Sequence, residues 1–350
     1  MLLEHGAEWA LVPASADFHW LTGAVARATE RPVALALPRQ GAPFCLVPRL
    51  EADALSGACP WLDLEIWDET DDPFDRLFRR MELNRGPVVL VGEGLKAGLV
   101  LRLAAHARCR PASGPLGRLR AIKDREELRR LQLAAGHADQ IVEEAADFMR
   151  PGFTERDVAA YVMARFEAMG DRDAWVIVAS GPSSAHPHHF TSERMIEAND
   201  VVLLDLGAST EGYGSDITRT YWLGSPDPEA ERVYEVVNRA RAAGIAAART
   251  GALAGDVDRA ARDVITRAGF GEAFVHRTGH GLGLEIHEQP YLVAGSRERL
   301  ETDMVHSVEP GIYLHGRFGV RLEDIVVVEP EGARRLNHAP FDPRPPRLRA

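Results

Sequence analysis

Four acidic residues in apolar surroundings and one histidine between glycines are the groups of this chain whose types and spacing could do chemistry. Asp205 lies in VVLLDLG, a run apolar on both sides that reads as a buried strand. A lone ionised carboxylate there is costly, so it must be protonated, paired or bound to a cation. Asp216 follows eleven residues on, past the glycine-punctuated turn EGYG, at the start of DITRTYW. That is hairpin spacing, and it could bring both acids to one end of a sheet. Glu309, at the end of MVHSVEP, and Glu323, before the apolar run IVVV, are fourteen residues apart and repeat the arrangement. His280, in HRTGHGLGLEIHE, is flanked by glycines that let backbone approach a metal closely.

Taken singly, each acid reads best as a surface residue salt-bridged to an arginine such as Arg219 or Arg321. Together the four carboxylates and a neutral imidazole carry −4, which two divalent cations neutralise. Oxygen-rich ligation without a thiolate favours manganese, magnesium, cobalt or iron over a cysteine-type zinc site, with zinc still open. Two metals bridged by hydroxide form a hydrolytic device, lowering the pKa of water and polarising a carbonyl or phosphoryl oxygen. A histidine can then stabilise the tetrahedral intermediate or pass a proton to the leaving nitrogen. His188 in HPHHF, His276 and His287 are the candidates, while a structural or surface role is expected first for His186 and His189. GHGLGLE lacks the strand–loop–helix setting and the lysine of a phosphate-binding loop.

Several elements must position these groups. Gly152-x4-Asp157-Val158 opens a helix ending at Gly170, and Gly251-x4-Asp256-Val257 opens one ending at Gly269, an offset of 99 residues throughout. Strand pairs follow both helices, so residues from about 118 onward read as two related helix–hairpin halves in one domain. Two Asp from the first half and two Glu from the second then converge across a pseudo-twofold axis. A long amphipathic helix begins around Asp124, with Leu128, Leu131, Ala135, Ala138, Val142 and Ala145 at three- and four-residue steps, and Pro151–Gly152 stops it. Before it, residues 33–38, 44–48, 64–67 and 88–92 are compact apolar runs bounded by Pro, Gly or charge. Residues 73–83 and 98–107 carry helical spacing between them, giving a small α/β domain that ends near the turn-rich segment 111–117.

The 350 residues are enough for two domains and a sizeable core. A net charge of −11 argues against nucleic acid as the main partner, since phosphate binding needs clustered Lys and Arg. Cys45, Cys59 and Cys109 are scattered without metal-like spacing and fit a reducing cytoplasm better than a disulfide framework. There is neither the basic start and apolar run of a signal peptide nor an apolar stretch near the roughly 20 residues that span a bilayer. The expected setting is cytoplasmic, with no membrane partner.

SGPSSAHPHHF, LLDLGASTEGYGSDITRTY, HRTGHGLGLEIHE, SVEPGIY and GVRLEDIVVV resemble, in order, the successive motifs of the metal-dependent proline peptidases of the pita-bread fold, Xaa-Pro dipeptidase (prolidase) and aminopeptidase P. FHWLTG (18–23) and LVPRLEAD (46–53) resemble the creatinase-type domain that precedes the catalytic one. The resemblance implies an α/β (α+β) chain with a creatinase-like domain over 1–117 and a pita-bread catalytic domain over 118–350. It implies that Asp205 chelates one metal, His280 and Glu309 hold the other, and Asp216 and Glu323 bridge the pair, with manganese first and cobalt, zinc or iron as alternatives. Glu309 would also handle the proton of the bridging water. His188 and His287 would contact substrate around the scissile carbonyl and the proline, and His276 would lie near the substrate pocket. Arg321 would stand beside the bridging carboxylates and could bind a substrate carboxylate.

The substrate so implied is a small peptide with proline in second position, and the assembly a homodimer with one subunit's N-terminal domain near the other's pocket. A tertiary X–Pro amide lacks an N–H and takes cis or trans forms, differences that a shaped pocket can exploit. Dipeptide specificity further needs a cation or donor cluster for the free carboxylate of proline, for which Arg321, His188 or Arg49 could serve. Motif wording and compact length favour the dipeptidase. Aminopeptidase P activity on longer peptides, a metal-free creatinase-like hydrolase and a binding module are the alternatives.

Overall fold

The structure, a computed structural model, describes residues 1–83, 86–225 and 227–349. The chain divides into two compact units, Met1–Arg120 and Ala121–Ala350.

The first unit is built on a six-stranded mixed sheet of β1 (Trp9–Pro13), β2 (Ala34–Pro38), β3 (Phe44–Pro48), β4 (Asp63–Trp67), β5 (Val88–Val91) and β6 (Arg108–Pro111), in the order β4-β3-β2-β1-β5-β6. Its central strands are apolar at every position because both faces are covered. Ala10, Val12, Leu35, Cys45 and Val47 enter one cluster, while Leu11, Ala34, Ala36, Phe44 and Leu46 enter the other. The covering helices are α1 (Ala16–Thr22), α2 (Arg49–Ala58), α3 (Pro73–Arg80), α4 (Ala97–Ala104) and α5 (Ser113–Ala121). The segment read as turn-rich is instead largely α5: its Pro and Gly fall near the helix start, and burial of Leu116 and Ala121 outweighs their low propensity.

In the second unit, α6 (Arg125–Phe148) starts at a capping box in which Asp124 and Glu127 satisfy one another's backbone N–H groups. Leu131, Ala135, Ala138, Val142 and Ala145 are buried along it, as the periodicity predicts. Helices α7 (Glu155–Ala168) and α9 (Ala254–Arg267) keep the 99-residue offset at both ends. Gly152 and Gly251 before them and Gly170 and Gly269 after them all have φ between 80° and 92°, which glycine adopts without strain. α6 and α7 pack on the sheet β10-β8-β7, made of β7 (Arg172–Ser180), β8 (Val201–Thr210) and β10 (Ile217–Trp222), with the short β9 (Tyr213–Gly214) paired to β8. The second half has β11 (Gly279–Gly281), β12 (Glu288–Leu292), β13 (Val305–Val308), β14 (Gly311–Leu314), β15 (Phe318–Arg321), β16 (Asp324–Glu329) and β17 (Gly332–Arg335). They form the sheet β12-β11-β13-β16-β17 and the hairpin β14-β15, which α8 (Pro228–Ala247) and α9 help to cover.

The halves are locked together directly behind the acids. Arg219, on β10, is 1% exposed and bonds Asp324 Oδ1 on β16 at 2.8 Å, the Ala339 carbonyl at 2.8 Å and the Glu323 carbonyl. Arg241 on α8 takes Asp324 Oδ2 at 2.7 Å. Replacing Asp324 by Asn strands two buried guanidinium groups, so Asp324→Asn should cost about 3–5 kcal/mol. Denaturant unfolding at fixed metal concentration reads this, and a loss below about 1 kcal/mol, the scale of a surface pair, would contradict the lock.

Candidate metal centre and its pocket

Strand register brings the acids together. Asp205 stands opposite Thr218 in the β8–β10 pair, and Asp216 sits one residue before β10. In the second half Val308 pairs with Asp324, so Glu309 and Glu323 flank the end of the β13–β16 ladder. His280 occupies the middle of β11. The glycines beside it serve a different end from the expected one. A Cβ on Gly279 would lie 2.1 Å from the Ser307 carbonyl, and one on Gly281 2.1 Å from that of Gln289. They let β11 lie close against its neighbours, and the histidine reaches the centre through its own ring.

Asp216, His280 and Glu323 are buried and can each offer a ligand atom within 4.8 Å of the others. Glu309 Oε1 is 3.3 Å from His280 Nε2, and Asp216 Oδ2 is 3.7 Å from it. Asp205 lines the same cavity of about 640 Å³ and pairs with Arg321 at 2.5 Å. The Thr218 hydroxyl lies 2.8 Å from both Asp205 Oδ1 and Glu323 Oε2, with one proton to donate between them. Arg219, the other arginine expected beside these acids, bonds Asp324 instead.

The residues present fit divalent cations. His280 Nδ1 is 3.1 Å from the Gly281 carbonyl, which can only accept, so Nδ1 carries the proton and Nε2 turns a lone pair toward two carboxylates. Burial and His287 hold the ring neutral, its pKa lowered to about 3. Glu323 Oε1 is buried with no hydrogen-bond partner among the described residues. Burial, then the charges of Glu323, Asp205 and Glu309, raise the Asp216 pKa well above the carboxylate range. Glu323 is raised likewise by burial, Glu309 and Asp205. Glu309 is pushed up to about 7 by burial, with Asp205 adding to it against the pull of Arg321. Lone pairs without donors among the described residues, and carboxyls that repel one another, suit a site for positive charge.

The ring nitrogens sort the remaining histidines. His276 Nδ1 donates to the Arg277 carbonyl at 2.7 Å, so Nε2 accepts from the Tyr313 hydroxyl at 2.8 Å. Burial and Arg321 lower its pKa to about 3. It lines the pocket, but both its nitrogens are taken by the protein. His188 and His287 also line the pocket, are solvent-exposed, and have no hydrogen-bond partner among the described residues. Arg321 is 4% exposed, and each of its three nitrogens already donates: to Thr218 Oγ1 at 3.0 Å, to the Tyr313 hydroxyl at 2.9 Å and to Asp205. Its ion pair is with Asp205 rather than with Asp216 or Glu323, the expected bridging carboxylates, and it is not a free receptor for a substrate anion. Arg49 pairs with Asp68 within the first unit.

Sequence reasoning missed four contributions. Thr218 and Tyr313 read as strand filler, and only the fold puts the Thr218 hydroxyl among Asp205, Glu323 and Arg321 and the Tyr313 hydroxyl between His276 and Arg321. Trp175, Ile177 and Ile286 form an apolar wall of the pocket. Arg277 also lines it, over the Tyr291 ring at 4.6 Å, and pairs with no carboxylate among the described residues. Its place beside His276 in HRTGH was the available signal.

Comparison with known proteins accords with this geometry. The profile of metallopeptidase family M24 matches residues 129–330, and that of the creatinase/prolidase N-terminal domain matches residues 1–122. The chain is 42% identical over 334 residues to a probable dipeptidase PepE of Mycobacterium bovis, covering 93% of this chain and 88% of that protein. It resembles the crystal structure of dipeptidase PepE from Mycobacterium ulcerans with a TM-score of 0.93 at 37% identity, over 98% of this chain and 94% of that one. For the prolidase of Thermococcus sibiricus the TM-score is 0.91 at 34% identity, over 97% and 95% of the two chains. The mixed α/β organisation expected from the motifs, a creatinase-type unit followed by a pita-bread unit, is the one these matches share. On these matches, the chain belongs to metallopeptidase family M24.

Proposed function

We propose that this chain hydrolyses the Xaa-Pro peptide bond, in dipeptides before longer peptides, at a centre of two divalent metal ions held by Asp205, Asp216, His280, Glu309 and Glu323. The observation that carries the reading is the convergence of these five side chains in one cavity, where lone pairs and raised carboxyls call for cations. Proline as the second residue is supported by the relatives, among them a prolidase at 34% identity. Manganese is the first ion to try, since the donors are mostly carboxylate oxygens. A homodimer in the cytoplasm belongs to the same proposal.

When bound, the ions supply acidified water and a polarised scissile carbonyl. The chain's own residues do the rest. Glu309, whose carboxyl sits near 7 before cations bind, accepts the proton of the attacking water and delivers it to the proline nitrogen as the C–N bond breaks. His188 and His287, whose ring nitrogens bond no described residue, bracket the carbonyl and its developing charge. The apolar wall of Trp175, Ile177 and Ile286 packs against substrate side chains and sheds water. Arg277, which lines the pocket and forms no ion pair among the described residues, suits the free carboxylate of a dipeptide.

A panel of Xaa-Pro dipeptides against Xaa-Pro-led tripeptides, run with manganese, cobalt and zinc, tests the reading. Faster turnover of dipeptides is expected. A preference for tripeptides would turn the reading to aminopeptidase P, and cleavage of neither would end it. Asp216→Ala should lose metal and activity while keeping the fold, since removing a carboxyl that resists ionising costs the metal-free protein little. Unchanged metal content by elemental analysis would contradict its place in the centre. Metal binding must displace the protons that the raised Glu309, Asp216 and Glu323 carboxyls hold, so affinity should fall as pH drops through about 7. Adding manganese to weakly buffered metal-free protein near neutrality should release protons, and a pH-independent affinity would count against the site.

A further inference from the structure

Glu155 opens helix α7, distant in sequence from every residue of the metal centre, and is fully buried. A buried carboxylate is tolerated only when its lone pairs are taken. Five donors converge on this one. Ser180 gives its backbone N–H at 2.8 Å and its hydroxyl at 2.7 Å to Oε1. Ser192 gives the same two groups to Oε2 at 2.9 and 2.7 Å, and His189 Nε2 reaches Oε2 at 2.8 Å. Burial alone would raise this carboxyl, but His189, Ser192 and Ser180 outweigh it and hold it below its ordinary value.

Helix α7 does not need these bonds. Its first turn is already closed by the capping box of Thr154 and Asp157, and all five donors lie outside it. They belong to three residues that bracket the segment carrying His188. On the other side of that segment the Pro187 carbonyl accepts from Arg321 at 3.3 Å, and Ser184 Oγ accepts the Gly319 N–H at 2.8 Å. The His188 ring has no hydrogen-bond partner among the described residues, so its place is inherited from Pro187 and His189.

We propose that Glu155 is a positioning residue that clamps Ser180, His189 and Ser192, and thereby presents His188 to the substrate without touching substrate or metal. The role of His188 rests on the proposed function above. The assignment also gives His189, for which a structural role was expected, a definite task.

A double-variant cycle of Glu155→Gln and His188→Ala, in metal-loaded protein on an Xaa-Pro dipeptide, tests this. Glutamine keeps the shape but turns an NH2 group toward N–H and O–H donors. Glu155→Gln should lower kcat roughly 10- to 100-fold, with KM changing less and metal content unchanged. In the His188→Ala background the same change should cost no more than about twofold, because its target is gone. Losses that multiply in the double variant, loss of metal, or an unchanged kcat in Glu155→Gln would overturn the proposal. If Glu155→Gln does not fold, Ser192→Ala, which removes one donor of the five, runs the same cycle with a smaller expected loss. Amide hydrogen exchange separates the clamp from the parent reading. Protection at Ser180 and Ser192 should drop about tenfold or more in Glu155→Gln. Wild-type protection there would sink the clamp, whereas a wild-type kcat in His188→Ala would fault the role given to His188.

Discussion

Four carboxylates gathered in one cavity repel one another, and that repulsion is the constraint on which the rest of the catalytic unit depends. Two like charges about 4 Å apart cost roughly 4 kcal/mol at an effective dielectric of 20. Without cations the protein must answer by holding protons on Glu309, Asp216 and Glu323, which is the direction in which all three are shifted. Arg321 can offset only part of this, through Asp205. The acids therefore need a frame that will not relax when they push. They stand on or beside β8, β10, β13 and β16, each held by a ladder and backed by helices, and the Arg219–Asp324–Arg241 cluster ties the halves together one residue behind Glu323. Binding of cations to such a frame stabilises the folded state by as much as the ions prefer it to the unfolded chain.

The same economy of donors divides the polar residues around the centre. A side chain whose nitrogens or oxygens are all engaged by protein can orient a neighbour, but it cannot also receive a substrate. His276, Tyr313 and Arg321 form a chain ending on Asp205, and each is engaged along it. His188, His287 and Arg277 line the same cavity, and no side-chain hydrogen bond or ion pair engages them among the described residues. In the proposed function, orientation and recognition thus fall to different residues, although all of them are of types that either task could use.

The elements that hold the site were legible because apolar runs between Pro, Gly and charged residues, and a repeat with a constant offset, record burial directly in the sequence. The 99-residue offset read from the glycines recurs in the bounds of α7 and α9, because turn glycines with positive φ are hard to replace. Asp205 stood out since a charge inside VVLLDLG demands an explanation. Segment 111–117 was misread because Pro and Gly carry the same signal in a turn and in a first helical turn. Hydrogen-bond partners were the illegible part. Thr218 and Tyr313 are ordinary strand residues by type, and Arg277 is an ordinary arginine until a fold shows that it forms no ion pair among the described residues. Partnership depends on contacts between segments far apart in sequence, such as Thr218 against Glu323 or Tyr313 against His276, and no local pattern encodes it.

The segment carrying His188 shows how these separate demands meet. One of its anchors, the Glu155 carboxylate, draws only on Ser180, His189 and Ser192 and is indifferent to what the metal centre holds. On its other side it is held by Ser184 Oγ on the Gly319 N–H and by the Pro187 carbonyl on Arg321, and Arg321 also serves Asp205. Any change in how Asp205 shares its oxygens between Arg321 and a cation is therefore felt at Pro187, one residue from the His188 ring. A segment tied at one side only to that arginine would shift with the charge state of the centre. Tied also to a carboxylate fully buried and saturated with donors, it has a reference point that cation binding does not move. The cost of burying Glu155 so completely is matched by the steadiness it lends to an exposed, unpartnered imidazole.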